Sequence, residues 1–126
     1  MREIATETAP RALGPYSQGR IVNNLLFTAG QIGLDPVTMK LVEDTEAQIR
    51  QVFRNLLAII GQAGGDTSSI AKLTVYLTDL AHWPLVNAVM AEVFSAPFPA
   101  RTAVGVADLP LGALIEIEAV ASLSPP

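Results

Sequence analysis

From Thr45 to Ala63 the chain carries Ile49, Val52, Phe53, Leu56, Leu57, Ile60 and Ala63 at helical spacing, and Gly64-Gly65 follows directly. Apolar residues recurring every three to four positions line one side of an α-helix. A stripe of that length needs a second layer to cover it. Thr45 and Gln48 read as a capping-box pair at the start, and the two glycines as the end. A second helix is expected after Asp79, with Leu85, Val86, Val89, Met90, Val93 and Phe94 on one side. Pro84 is tolerable in its first turn, and Pro97 and Pro99 stop it.

Strand signals surround these helices. Two short apolar runs between Arg20 and Ala29 flank Asn23-Asn24, a pair that tolerates positive φ, so a hairpin is expected there, ending at Gly30. Residues 33–43, with Asp35-Pro36, read as a loop. Ala71, Leu73, Val75 and Leu77 alternate with Lys72, Thr74, Tyr76 and Thr78, a strand with one polar face. The last unit is two runs, Arg101 to Ala107 and Leu114 to Leu123, joined by Asp108 to Ala113 and expected to pair antiparallel. Val104, Val106, Ile115 and Ile117 would then share the buried face. Parity puts Arg101, Ala103 and Gly105 on the other face with Glu116 and Glu118, one glutamate opposite Arg101 and the other diagonal at about 7–8 Å.

The chain of 126 residues reads as a single domain spanning 1–126. Charged residues are 16% and apolar residues 50%, too little charge to cover a lone small globule, which favours an oligomer. The net charge of −4 and pI near 4.8 give no basic field for nucleic acid or anionic lipid. With no cysteine and only His82, thiolate chemistry, disulfides and Cys or His metal clusters are excluded. His82, ahead of Trp83-Pro84, reads as a surface or capping residue. The N-terminus has no apolar core of a leader and no run approaches a membrane span, so a soluble cytoplasmic protein is expected. Phosphate loops and nucleophile elbows are absent, and only the Ser124-Pro125-Pro126 end reads as disordered.

The Arg101 cluster has two readings. It is a cross-strand ion pair that settles register, or Arg101 binds a substrate carboxylate through its planar fork while a glutamate works on water. Ala103 and Gly105 would leave room for the ligand. Tyr16 is a core aromatic or a site residue, Gly30 a turn or a place where a ligand nears the backbone, and Asn87 by default a solvated helix position.

With GPYSQG at 14–19, TAGQIG at 28–33, FPAR at 98–101, LP at 109–110 and IEIEA at 115–119, the chain resembles the Rid, or YjgF, family of enamine/imine deaminases along nearly its whole length. The resemblance implies an α+β, chorismate-mutase-like fold, a mixed sheet of about six strands with two helices on one face, assembled as a homotrimer with clefts between subunits. Carried over by position, Arg101 is the carboxylate-binding arginine and Glu116 the water-handling glutamate. Ala103 offers its backbone N–H, Tyr16 is the site tyrosine, and Gly30 and Asn87 line the cleft. The implied activity is hydrolysis of 2-imino and 2-enamino acids such as 2-iminopropanoate, 2-iminobutanoate and 2-aminoacrylate to 2-oxo acids and ammonia. It requires no cofactor and no metal, and it clears reactive by-products of pyridoxal-phosphate enzymes. Rival readings are a catabolic deaminase of a larger, aminomuconate-type enamine acid, with Gly105 giving the extra room, and a non-enzymatic ligand-binding or chaperone-like trimer. Ribonuclease and translation-inhibitor roles are ascribed to some relatives, and the acidic balance weighs against RNA cleavage.

Overall fold

The computed structural model describes residues 1–124; Pro125 and Pro126, part of the tail expected to be disordered, lie outside the described residues. The elements in chain order are β1 (Arg2–Ile4), β2 (Gly19–Val22), β3 (Leu25–Thr28), α1 (Thr45–Gln62), β4 (Ile70–Leu77), α2 (Trp83–Val93), β5 (Ala100–Gly105) and β6 (Ile115–Ser122). The strands form one six-stranded sheet in the order β1-β2-β3-β6-β4-β5. Every neighbouring pair is antiparallel except β4 and β5. This is the mixed α+β sheet that the motifs imply.

Local chemistry accounts for most elements. Asn23 and Asn24 take φ of 48° and 64°, which gives the two-residue turn whose twist suits a hairpin. Helix α1 buries Ile49, Val52, Phe53, Leu56, Ile59 and Ile60 against the sheet, and α2 adds Val86, Val89 and Met90 to the same core. The rings of Phe53 and Phe94 meet edge to face at 5.7 Å. Arg50 bridges Glu46 of its own helix and Glu92 of α2 at 3.1 and 2.8 Å. Among the described residues no helix is long and apolar enough to cross a membrane.

The start of α1 differs from expectation. Asp44, not Thr45, is the N-cap, and its carboxylate accepts the Ala47 N–H at 2.8 Å. Gln48 is thereby released from capping. It is buried and reaches sideways, accepting the Leu114 N–H at 2.9 Å and donating to the Val42 carbonyl at 3.2 Å. His82 stands at the N-cap position of α2 but makes no capping bond through its side chain.

The larger correction concerns the last two strands. They do not form a hairpin, because β4 lies between them, parallel to β5 and antiparallel to β6. The β4-α2-β5 unit is a crossover, in which a helix returns the chain so that the next strand runs parallel to the first. Directly paired residues share a face, and Arg101, Ala103 and Gly105 pair with Leu73, Val75 and Leu77, all three buried beneath the helices. Arg101 therefore lies on the helix-covered side of the sheet. Glu116 and Glu118 pair with Tyr76 and Thr74 on the bare side. Val104, expected in the core with Val106, is 39% exposed on that bare side, beside which Leu25 and Phe27 are also exposed. At an edge strand the face toward α2 accommodates a polar side chain at its rim, so apolar alternation in β5 does not report burial.

Candidate functional site

Two hollows, one on each face of the sheet, hold Tyr16, Gly30 and Glu116 on one side and Asn87 and Arg101 on the other. The first, of about 330 Å³, is lined by Arg11, Leu13, Tyr16, Gly30, Gln31, Pro110, Leu111 and Glu116 among others. Backbone bonds build it. The Gln31 N–H donates to the Ile117 carbonyl at 2.9 Å and the Ile117 N–H returns to the Gln31 carbonyl at 3.1 Å, which sets Gly30 beside Glu116. A Cβ placed on Gly30 would collide with the Glu116 carboxylate, so the glycine provides the space in which that carboxylate sits. Asn55 of α1, fully buried, donates to the carbonyls of Ile32 and Leu34 at 3.2 and 2.9 Å and holds the strand-end loop to the helix. Gln18, also buried, accepts the Thr6 N–H at 2.7 Å and donates to the Pro10 carbonyl at 2.7 Å, which fixes the N-terminal segment along the rim. Tyr16 is exposed there, its hydroxyl accepting the Leu13 N–H at 3.1 Å.

Burial pushes the Glu116 carboxyl above its ordinary pKa, and the charge of Glu118 adds to the shift. Glu118 is itself engaged, because the Tyr76 hydroxyl donates to its Oε1 at 2.5 Å, which raises the tyrosine pKa. The two glutamates share a face, as parity requires, but only Glu116 lines the hollow.

The second hollow, of about 320 Å³, is lined by Asn87, Met90, Ala91, Phe98, Pro99 and Arg101. Arg101 Nη1 donates to Asn87 Oδ1 at 2.6 Å and lies 3.4 Å from Met90 Sδ, while its Cζ sits 4.5 Å from the centroid of the Trp83 ring. Among the described residues no carboxylate pairs with it, so the expected ion pair between Arg101 and a glutamate does not form. β5 is an edge strand, and Val106 N–H donates to the Leu77 carbonyl at 2.8 Å. Amides alternate in direction along a strand, so the Ala103 N–H points out from the open edge. Gly105 does not open a ligand space, since a Cβ there would meet the Leu80 side chain at 3.2 Å.

The residues singled out in the sequence thus divide into Tyr16, Gly30 and Glu116 on one side and Asn87, Arg101 and Ala103 on the other. Missed were the amides that hold the loops, Gln18, Gln48 and Asn55, and the contacts of Arg101 with Trp83 and Met90. The position of Gln18 inside GPYSQG and the spacing of Trp83 to Asn87 were the available signals. Among the described residues no three His, Asp or Glu side chains converge to hold a metal ion.

Comparison with known proteins extends the pattern to whole chains. A family model described as Endoribonuclease L-PSP matches residues 6–123. Reactive Intermediate Deaminase A, chloroplastic, of Arabidopsis thaliana is 50% identical over 121 residues, which are 95% of this chain and 65% of that longer protein. The 2-iminobutanoate/2-iminopropanoate deaminase of Salmonella typhimurium is 46% identical over 123 residues, covering 95% of this chain and 96% of that one. The crystal structure of E. coli TdcF with bound serine superposes with a TM-score of 0.95 at 38% identity, covering 98% of this chain and 100% of that chain. Sequence, fold and site motifs agree, and the chain belongs to the Rid (YjgF) family, whose model carries the endoribonuclease L-PSP description.

Proposed function

We propose that the protein hydrolyses short 2-imino acids, and the 2-enamino acids from which they form, to 2-oxo acids and ammonia. The observation that carries this reading is the pair of complementary half-sites. One holds an arginine with no anionic partner among the described residues, the other a carboxyl whose pKa burial has raised. A C=N carbon beside a carboxylate is already electrophilic, so it needs a positioned water and proton transfer rather than a nucleophile. Arg101 binds the carboxylate, with the Ala103 N–H as a second donor. Glu116 takes a proton from water as its oxygen adds to the imine carbon, then delivers a proton to the departing ammonia. A raised pKa suits both halves of that cycle. Tyr16, Gly30 and Asn87 border the substrate. The reaction needs no cofactor, and its role is to remove reactive imines released by pyridoxal-phosphate enzymes.

Arg101 and Glu116 occupy opposite faces within one copy, which supports a homotrimer in which one copy's arginine meets a neighbour's glutamate. The low charge content and the exposed Leu25, Phe27 and Val104 agree with a covered face. The Arabidopsis and Salmonella relatives bear deaminase names, and the TdcF structure holds serine, a small amino acid with the same carboxylate. A larger enamine acid is the second reading, and the contact a Cβ at Gly105 would make with Leu80 at 3.2 Å favours the shorter substrate.

The test is a coupled assay in which an amino-acid dehydratase releases fresh 2-iminobutanoate and 2-oxo acid appearance is followed with and without the protein. Arg101→Lys keeps the charge but loses the two-pronged fork, so kcat/KM should fall roughly 30- to 1,000-fold. No acceleration by the wild-type protein overturns the reading; near-normal turnover by a folded Arg101→Lys protein makes the arginine structural.

A further inference from the structure

Arg101 sits on an edge strand, where a long flexible side chain has many rotamers open to it. Three side chains of α2 restrict it, and they stand at positions 83, 87 and 90, the i, i+4, i+7 spacing that a helix turns to one side. Trp83 lies against the guanidinium at 4.5 Å, Asn87 accepts from Nη1, and Met90 sulfur touches the same nitrogen. All three are neutral. An aromatic face attracts a cation without cancelling its charge, so the cradle orients Arg101 and leaves it fully able to bind an anion. Among the described residues its hydrogen bonds fall on Nη1 alone. Nε and Nη2, which share another edge of the planar group, remain as a two-donor fork matched to a carboxylate.

We propose that Trp83 is a positioning residue for the reaction, holding the guanidinium plane so that its Nε/Nη2 edge meets the substrate carboxylate in one orientation. This builds on the reading of Arg101 as the carboxylate-binding residue. Asn87 and Met90 set the rotation of the plane about its own axis, and the indole sets its tilt. Trp83 is also the one tryptophan of the chain, so its emission reports directly on what happens to the cation beside it.

The experiment titrates 2-oxobutanoate into the whole protein while tryptophan emission and, separately, the heat of binding are recorded. Imine turnover is measured in parallel for the wild type, Trp83→Leu and Trp83→Phe. The wild type should show a saturable change in emission whose midpoint matches calorimetry and which Arg101→Met abolishes. Trp83→Leu should weaken 2-oxobutanoate binding and raise KM by about 5- to 20-fold, the range of a partly desolvated cation–π contact. Its kcat should move by less than about threefold, and Trp83→Phe should return KM to within about threefold of wild type. General damage to the fold would not produce that split or that rescue. Unchanged KM and affinity in Trp83→Leu overturn the proposal. So does constant wild-type emission while calorimetry records binding, an outcome that requires no variant to fold. If 2-oxobutanoate binds and moves the emission but no imine is hydrolysed, the deaminase reading fails while the positioning of a carboxylate-binding arginine stands. No binding by either method removes both.

Discussion

The hollow around Glu116 and the ledge carrying Arg101 are built by different means. Glu116 is placed by backbone: the paired Gln31 and Ile117 amides, the loop carbonyls held by Asn55, and the side-chain-free Gly30. Arg101 is placed by the tips of three side chains from one helix. The chemistry explains the contrast. In the proposed reaction Glu116 exchanges protons with water and ammonia, and burial is what raises its affinity for the proton. In the same proposal Arg101 binds an anion, and neutral neighbours hold it without cancelling its charge. Backbone changes should therefore strike the first half-site, and side-chain changes the second.

The largest expected effect separates the two halves outright. Glu116→Gln should lower kcat by about 10²- to 10⁴-fold, the contribution of a positioned acid–base group, and leave 2-oxobutanoate binding in place. Glu118→Gln, which changes the Tyr76 hydrogen bond and removes a charge near Glu116 without removing the Glu116 carboxyl, should cost far less. Steady-state kinetics on both decide it: if Glu118→Gln is the inactive variant, the water-handling role passes to Glu118, and if both remain active no glutamate mechanism survives.

Gly30→Ala should come next. Its Cβ would occupy the position of the Glu116 carboxylate, so kcat should drop about 10- to 100-fold as that group is pushed aside. Circular dichroism and carboxylate binding should be unaltered. Equal loss of binding would mean that the two halves are not separately built.

The smallest effect is thermodynamic. The folded protein holds the Glu116 proton more tightly than the unfolded chain does, so stability from this group is present at low pH and is lost as pH rises through the folded pKa. Glu116→Gln should therefore melt at a higher temperature than wild type at pH 7, and the gain should vanish near about pH 4. Thermal melts across that range would expose a wrong sign, which would mean Glu116 is stabilised in its charged form.

Elements governed by local chemistry were legible from residues alone. The Asn23-Asn24 turn, the α1 stripe and the alternation in β4 each depend on neighbours within a few positions. The partner of β5 does not. A strand, a connection and a strand look alike whether they pair with each other or both flank a third, and here the third is β4, some thirty residues earlier in the chain. The error reversed the parity of Arg101 and brought it to the glutamates, while the FPAR and IEIEA motifs still singled out Arg101 and Glu116. The role of Trp83 is not legible in the sequence, because one aromatic at the start of a helix has no periodicity of its own; its meaning comes from the edge strand packed against it.

The placement of Arg101 and Glu116 on opposite faces of one sheet has a genetic corollary. In the threefold ring proposed above, a subunit with a crippled arginine still lends a sound glutamate to one neighbour, and a subunit with a crippled glutamate still lends a sound arginine. Two alleles that are each inactive alone then complement when expressed together: random mixing leaves one intact site in every mixed ring, about a quarter of the normal number. Paired with a normal allele, either one removes only about half of the sites, so neither poisons the assembly beyond its dose.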